Sequence, residues 1–230
     1  MATISPPAPA PEAPQTPHSA WTSPRAWALL LIATFVLLAV DLVSKELAFR
    51  FIADAPVRID RQEVLAGNGP LYRLIPSHDP VVVIPRVLEF TLVLNPGAVF
   101  GLGAGQRFTF IAFTLGALLF ALWMFKAWTG PRDRAAHLGL ALLISGGLGN
   151  LYDRVLYACV RDFIHPLPHV LLPFGWSYPW SRAVGGREVW PYVSNLADLF
   201  LIIGIGMLVW HTWRSGSKQH RAGQPDAPTR

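Results

Sequence analysis

The chemistry this sequence can offer lies in the charged and amide side chains that interrupt its long apolar runs. Asp41 and Lys45 stand four apart near the end of one run, hence on one helix face. Asn150, Asp153 and Arg154 fall at i, i+3 and i+4 near the end of another, again on one face. Asp162 lies just beyond that run, and Asn195 and Asp198 are three apart at the start of the last one. A charge at the centre of a spanning helix costs roughly 2.5–3.5 kcal/mol on insertion scales, so each of these residues needs a reason. Two carboxylates brought to one site cannot both ionise easily, and one keeps a proton. An aspartic protease uses that division of labour: one carboxylate activates water, the other protonates the carbonyl or the leaving group. The same residues can also cap helices or form ion pairs. Spacing alone leaves both readings open.

Four apolar segments would have to position them. The first runs from Ala26 to Val40 and continues through Asp41 to Ser44. It is read as a retained span rather than a cleaved leader, because Asp41 follows the run directly and no small-residue cleavage site appears there. The second, Phe108 to Phe125, has no polar face, which a soluble bundle would need. The third covers about 135–155 and the fourth about 195–213. The expected fold is an all-α membrane protein of four transmembrane helices, with a small extracytoplasmic β-rich region in the first outer loop.

Composition agrees. Hydrophobic residues make up 52% and charged ones 14%, against about a quarter charged in a soluble domain. The basic residues are scattered rather than gathered on one face, so no nucleic-acid partner is expected. The single cysteine, Cys159, excludes an intrachain disulfide and a Cys-rich metal site.

Lys126, Arg132 and Arg134 follow the second span, and Arg214, Lys218, Arg221 and Arg230 follow the fourth. Short basic loops stay cytoplasmic, which places both termini inside. The outer end of the third span and the outer start of the fourth then share one membrane level, and with them Asp162 and Asp198. The first outer loop, about 46–107, holds β-rich stretches at 81–84 and 87–94. The second, about 163–192, is rich in Pro and aromatics, and Trp176, Tyr178, Trp180, Trp190 and Tyr192 are placed at the headgroups. The expected division is a disordered tail at 1–24, a membrane domain at 25–213 and a basic tail at 214–230.

Five blocks of this sequence resemble the lipoprotein signal peptidases (signal peptidase II). They are DLVSK at 41–45, NPGAVFG at 95–101, GGLGNLYDR at 146–154, VRDFI at 160–164 and NLAD at 195–198. GGLGNLYDR is the specific one, and the resemblance covers about 27–213. The resemblance implies a multi-pass aspartyl peptidase of the bacterial inner membrane. It would cut diacylglyceryl-modified prolipoproteins on the N-terminal side of the lipidated cysteine. The implied catalytic pair is Asp162 and Asp198, supported by Asn95, Asn150, Arg154 and Asn195. Asp41, Lys45 and Asp153 are read as structural polar residues. Neither metal nor cofactor is expected, and the expected partners are prolipoprotein substrates, membrane lipid and globomycin-type inhibitors. Two departures stand out, long inserts at about 52–80 and 165–192, and Arg161 beside the implied catalytic Asp is unusual as well. Arg161 would depress that carboxylate's pKa if its side chain faced inward.

A small transporter or a non-catalytic assembly factor are the competing functions. A transporter wants its charges near the membrane midplane, whereas these lie toward one edge.

Overall fold

The computed structural model describes residues 19–66, 69–97, 107–178 and 186–222. Residues 98–101 of NPGAVFG, Trp180, and the expected tail residues 1–18 and 223–230 lie outside these.

Helix α1 is Pro24–Phe51; Ser23 caps it, its side chain accepting from Ala26 N, and Pro24 needs no partner for its missing N–H. A 3-10 turn, Ala20–Thr22, precedes it, with Ser19 as its cap. That turn is pinned to the far end of the second span, where Ala20 N donates to Thr129 O at 2.8 Å. Trp27 meets Phe125 edge-on at 4.8 Å and Trp21 at 4.9 Å. Residues 19–23 are thus folded, which corrects the expected disorder over 1–24. Two capping serines start the turn, and its contacts with Thr129 and Phe125 hold it against the second span despite the neighbouring prolines.

The remaining spans are α3, Arg107–Ala127; α4, Arg134–Leu156; and α5, Leu196–Ala222, whose backbone runs past the expected domain end at 213. With α1, these four helices are long and apolar enough to cross a membrane. Helix α4 is central and packs against α1, α3 and α5. Its small residues let backbones approach: a Cβ at Gly146 would sit 2.5 Å from the Ala197 carbonyl oxygen of α5. On the other three helices, large apolar side chains such as Phe35, Phe113 and Trp210 face outward, as lipid contact requires.

Between α1 and α3 lie a short helix α2, Arg61–Ala66, and strands β1, Val81–Ile84, and β2, Leu88–Asn95. Both strands match the β-rich stretches expected there. A third strand, β3, Val160–Pro166, completes an antiparallel sheet in the order β1-β2-β3. By its sequence VRDFI reads as a motif, with no strand pattern visible. Its alternation is hidden because Arg161 and Asp162, consecutive charged residues, are both buried on opposite faces. The register sets Val93 opposite Asp162 and Asn95 opposite Val160. One sheet face, with Leu92, Leu94 and Phe163, packs on Ala48, Phe49 and Ala53 at the end of α1. The later insert is tied back on itself: Val189 N donates to Val170 O at 2.7 Å, and Ser194 pairs with Ile164.

Candidate active site

Strand β3 leaves α4 through a reversal in which Ala158 takes a positive φ of 62°. It returns Asp162 to the end of the bundle, with 1% of the residue exposed. Asn195 Nδ2 donates to Asp162 Oδ1 at 2.6 Å, and Asn95 Nδ2 donates to Oδ2 at 3.1 Å. Asn95 is itself held by its turn, its Oδ1 accepting from Gly97 N at 2.9 Å.

Asp198 sits in the first turn of α5, where NLAD acts as a capping pair. Asn195 Oδ1 accepts from Asp198 N at 3.2 Å, and Asp198 Oδ2 accepts from Asn195 N at 3.3 Å. Its other oxygen accepts from Asn150 Nδ2 at 2.8 Å. Capping and gathering of the two carboxylates therefore coexist, because the residue that caps α5 also binds Asp162.

Asn150 is the hub. Its Oδ1 accepts from Asn195 Nδ2 at 3.1 Å and from Lys45 Nζ at 3.2 Å. Lys45, wholly buried, also pairs with Asp41 at 2.9 Å and lies 3.5 Å from Asp153. Asp41 Oδ1 accepts from Ala197 N at 2.9 Å, so α1 caps the start of α5. Arg154 donates to Asn150 O at 3.1 Å, stacks over the Phe110 ring at 5.3 Å, and lies within electrostatic reach of Asp162 and Asp198.

Asp153 pairs with Arg161, at 3.0 Å, and with Lys45. Arg161 faces away from Asp162, toward Asp153 and Glu46, because successive strand residues point to opposite faces. It does not depress the Asp162 carboxyl. Burial first, and the Asp198 charge second, push that carboxyl up to about 7, while Asn195, Asn95 and Lys45 pull the other way.

The structure thus gathers Asp162, Asp198, Asn95, Asn150, Arg154 and Asn195 at one end of the bundle, with Asp41, Lys45 and Asp153 behind them. The Lys45–Asn150 contact and the roles of Arg161 and Glu46 went unread in the sequence. Their partners are 105 and 115 residues apart, and nothing local signals such pairings. Cys159 is buried, its thiol pushed up to about 12, and offers no thiolate. His165 pairs with Glu89 at 2.8 Å, and no cluster suited to a metal ion occurs among the described residues.

The arrangement has relatives. The signal peptidase (SPase) II family model matches residues 33–214. A lipoprotein signal peptidase of Anaeromyxobacter sp. (strain Fw109-5) is 32% identical over 206 residues, covering 86% of this chain and 90% of the relative. One from Syntrophotalea carbinolica is 29% identical over 198 residues, covering 84% and 95%. The fold is similar to that of a bacterial membrane enzyme solved by the in meso method at 2.3 Å. The TM-score is 0.57 and the identity 21%, over 88% of this chain and 95% of the other. A family match over most of the chain, together with four membrane-length helices, leads to one conclusion: this chain belongs to the signal peptidase II family, membrane peptidases that remove signal peptides from prolipoproteins.

Proposed function

We propose that the chain is an aspartyl endopeptidase that cuts diacylglyceryl-modified prolipoproteins immediately N-terminal to the lipidated cysteine, with Asp162 and Asp198 as its catalytic pair. The observation that carries this reading is the sharing of Asn195. Its side chain binds Asp162 and its main chain binds Asp198, in a site where Asp162 is buried and pushed up to about 7. Asp162 thus keeps its proton up to near neutral pH.

In the forward reaction the ionised carboxylate takes a proton from water, whose oxygen attacks the scissile carbonyl carbon. The protonated carboxyl delivers its proton to the carbonyl oxygen, so no full oxyanion accumulates. The tetrahedral gem-diol collapses when the C–N bond breaks: the departing nitrogen takes the proton that the pair had accepted from water, and a gem-diol hydroxyl returns its proton to the other carboxylate as the new carbonyl forms. The products are the signal peptide's new carboxyl terminus and the free amino group of the lipidated cysteine. Asn95, Asn150 and Asn195 hold the two carboxyls in place during these transfers, and Arg154 adds a positive charge near them.

The residues lie at the end of α4 and the start of α5, where a lipid-anchored substrate presents its membrane-edge segment. The reading places the chain in the bacterial inner membrane, with both termini cytoplasmic, the sheet outside and the peptidase domain at 25–213. Its ligands are diacylated prolipoproteins, the surrounding lipid and globomycin-type inhibitors that reach the pair. The test is cleavage of a diacylated prolipoprotein by the purified protein in detergent. No cleavage by folded protein would overturn the reading, and cleavage that resists saturating globomycin would overturn the inhibitor assignment.

A further inference from the structure

Behind the candidate pair, two cations and three carboxylates form an unbroken chain. Asp41 Oδ2 accepts from Lys45 Nζ at 2.9 Å, and Asp153 Oδ2 lies 3.5 Å from the same ammonium. Asp153 Oδ1 accepts from Arg161 Nε at 3.2 Å and Nη2 at 3.0 Å, while its Oδ2 accepts the Arg161 main-chain N–H at 3.0 Å. Arg161 Nη1 reaches on to Glu46 at 3.1 Å, and its guanidinium lies 4.5 Å from the Tyr157 ring centroid. The side chains of Asp41, Lys45 and Asp153 are wholly buried, and that of Arg161 is 4% exposed.

Lys45 therefore has three acceptors within reach: Asp41, Asp153 and the neutral amide of Asn150. The amide is the weakest of the three for an ammonium. The guanidinium engages Asp153 through Oδ1, while the oxygen nearer Lys45, Oδ2, accepts the Arg161 main-chain N–H. Without the Arg161 guanidinium, Asp153 would keep Lys45 as its paired cation, and the low-dielectric surroundings would draw the ammonium closer to it. Asn150 would then lose one of the two donors that hold its Oδ1, keeping only Asn195 Nδ2. An ammonium only donates, so Lys45 holds Asn150 Oδ1 toward itself and leaves Nδ2 for Asp198.

We propose that Arg161 is a positioning residue for the peptidase reaction: by occupying Asp153 it keeps Lys45 on Asn150, and so sets the donor that Asn150 presents to Asp198. The proposal rests on the reading of Asp162 and Asp198 as the catalytic pair. Arg161 itself touches neither of them.

The test is the pH dependence of kcat and KM for a diacylated prolipoprotein. The full-length variants are Arg161→Met, Arg161→Lys, Asp153→Asn and the double variant Arg161→Met/Asp153→Asn, with Asp162→Asn as reference. The groups that face Asp162 and enter its titration are Asp198 of α5, Lys45 of α1 and Arg154 of α4, with the neutral Asn95 and Asn195. Arg161→Met should lower kcat by about tenfold or more with KM within about twofold, as for a misplaced catalytic group. It should also move the activity profile toward higher pH, because a cation has withdrawn from the carboxylate pair. Arg161→Lys should retain part of both. Adding Asp153→Asn removes the competing charge and should return kcat and the profile toward the unsubstituted protein. A strut with no electrostatic role would lower folded yield and leave the profile in place; an unmoved profile in folded Arg161→Met overturns the proposal, as does a double variant no more active than the single. If Arg161→Met does not fold, the double variant and Asp153→Asn alone must share one profile, and a difference between them overturns the proposal instead. Cleavage by Asp162→Asn would remove the catalytic reading and leave the Arg161 comparison standing as a relative measurement.

Discussion

Asn150 and Asn195, 45 residues apart in sequence, meet through their side chains: Asn195 Nδ2 donates to Asn150 Oδ1 at 3.1 Å. Each amide also binds one carboxyl of the candidate pair, Asn150 to Asp198 and Asn195 to Asp162. Asn195→Ala should therefore act twice. Loss of the cap on α5 costs about 1 kcal/mol of stability. Loss of the link between the carboxyls should lower kcat by about a hundredfold, a larger effect than the stability change explains. Thermal unfolding and turnover of the same preparation separate the two, and near-normal kcat would show that Asn195 is only a cap.

The proposed catalytic pair divides four carboxylates into two expected roles. Asp162→Asn and Asp198→Asn keep shape but cannot ionise, and should abolish cleavage while leaving folded yield nearly normal. Asp41→Asn and Asp153→Asn weaken the pairing of buried cations, Lys45 in both and Arg161 in the second. Breaking such a pair costs up to about 3–5 kcal/mol, so these variants should lose yield and stability yet keep some turnover per folded molecule. Turnover per folded protein for all four decides it; substantial cleavage by Asp162→Asn or Asp198→Asn ends the assignment of the pair.

The raised Asp162 carboxyl also predicts how stability follows pH. Its ordinary value is 3.8 and its folded value about 7, so between the two the folded chain keeps a proton that the unfolded chain has lost. The folded state thus binds more protons in that window. This group's contribution is fully present below pH 3.8 and is lost as pH rises to about 7, at about 1.4 kcal/mol per unit as an upper scale. Asp162→Asn cannot ionise and should gain Tm relative to the unsubstituted protein as pH rises through that window. A Tm difference that stays constant with pH would refute it.

Close packing behind the site makes Gly149 intolerant. A Cβ there would run into the Asp41 carboxylate, which holds both Lys45 and the start of α5. Gly149→Ala should cost about 1–3 kcal/mol and reduce turnover as well. Gly116→Ala is the control, because a Cβ there meets open space. Equal Tm for the two variants would contradict the packing argument.

The orientation of the spans is open to labelling. Arg132 is exposed in the short link between α3 and α4. On a Cys159→Ser background, Arg132→Cys should react with a membrane-impermeant thiol reagent only from the cytoplasmic side. Reaction from the outer side alone would invert the topology.

Much of this protein was legible in one dimension. Apolar run length announces spans, because lipid cannot satisfy an exposed backbone and a helix must cover the whole hydrocarbon thickness. The strands at Val81–Ile84 and Leu88–Asn95 were equally readable from β-branched content. The motif blocks named Asp162, Asp198 and the three asparagines, and Asp41 with Lys45 was readable because a helix brings i and i+4 together. Strand β3 was not readable, since its two buried charges mimic a solvated loop. Nor was the direction of Arg161, which depends on β2 setting the pleat and on Asp153 waiting on another element. Which acceptor each cation takes is a competition among groups contributed by α1, α4, β3 and α5. Charge and hydrogen-bonding capacity are written into single residues, but their partners are chosen by the distances that packing leaves between them.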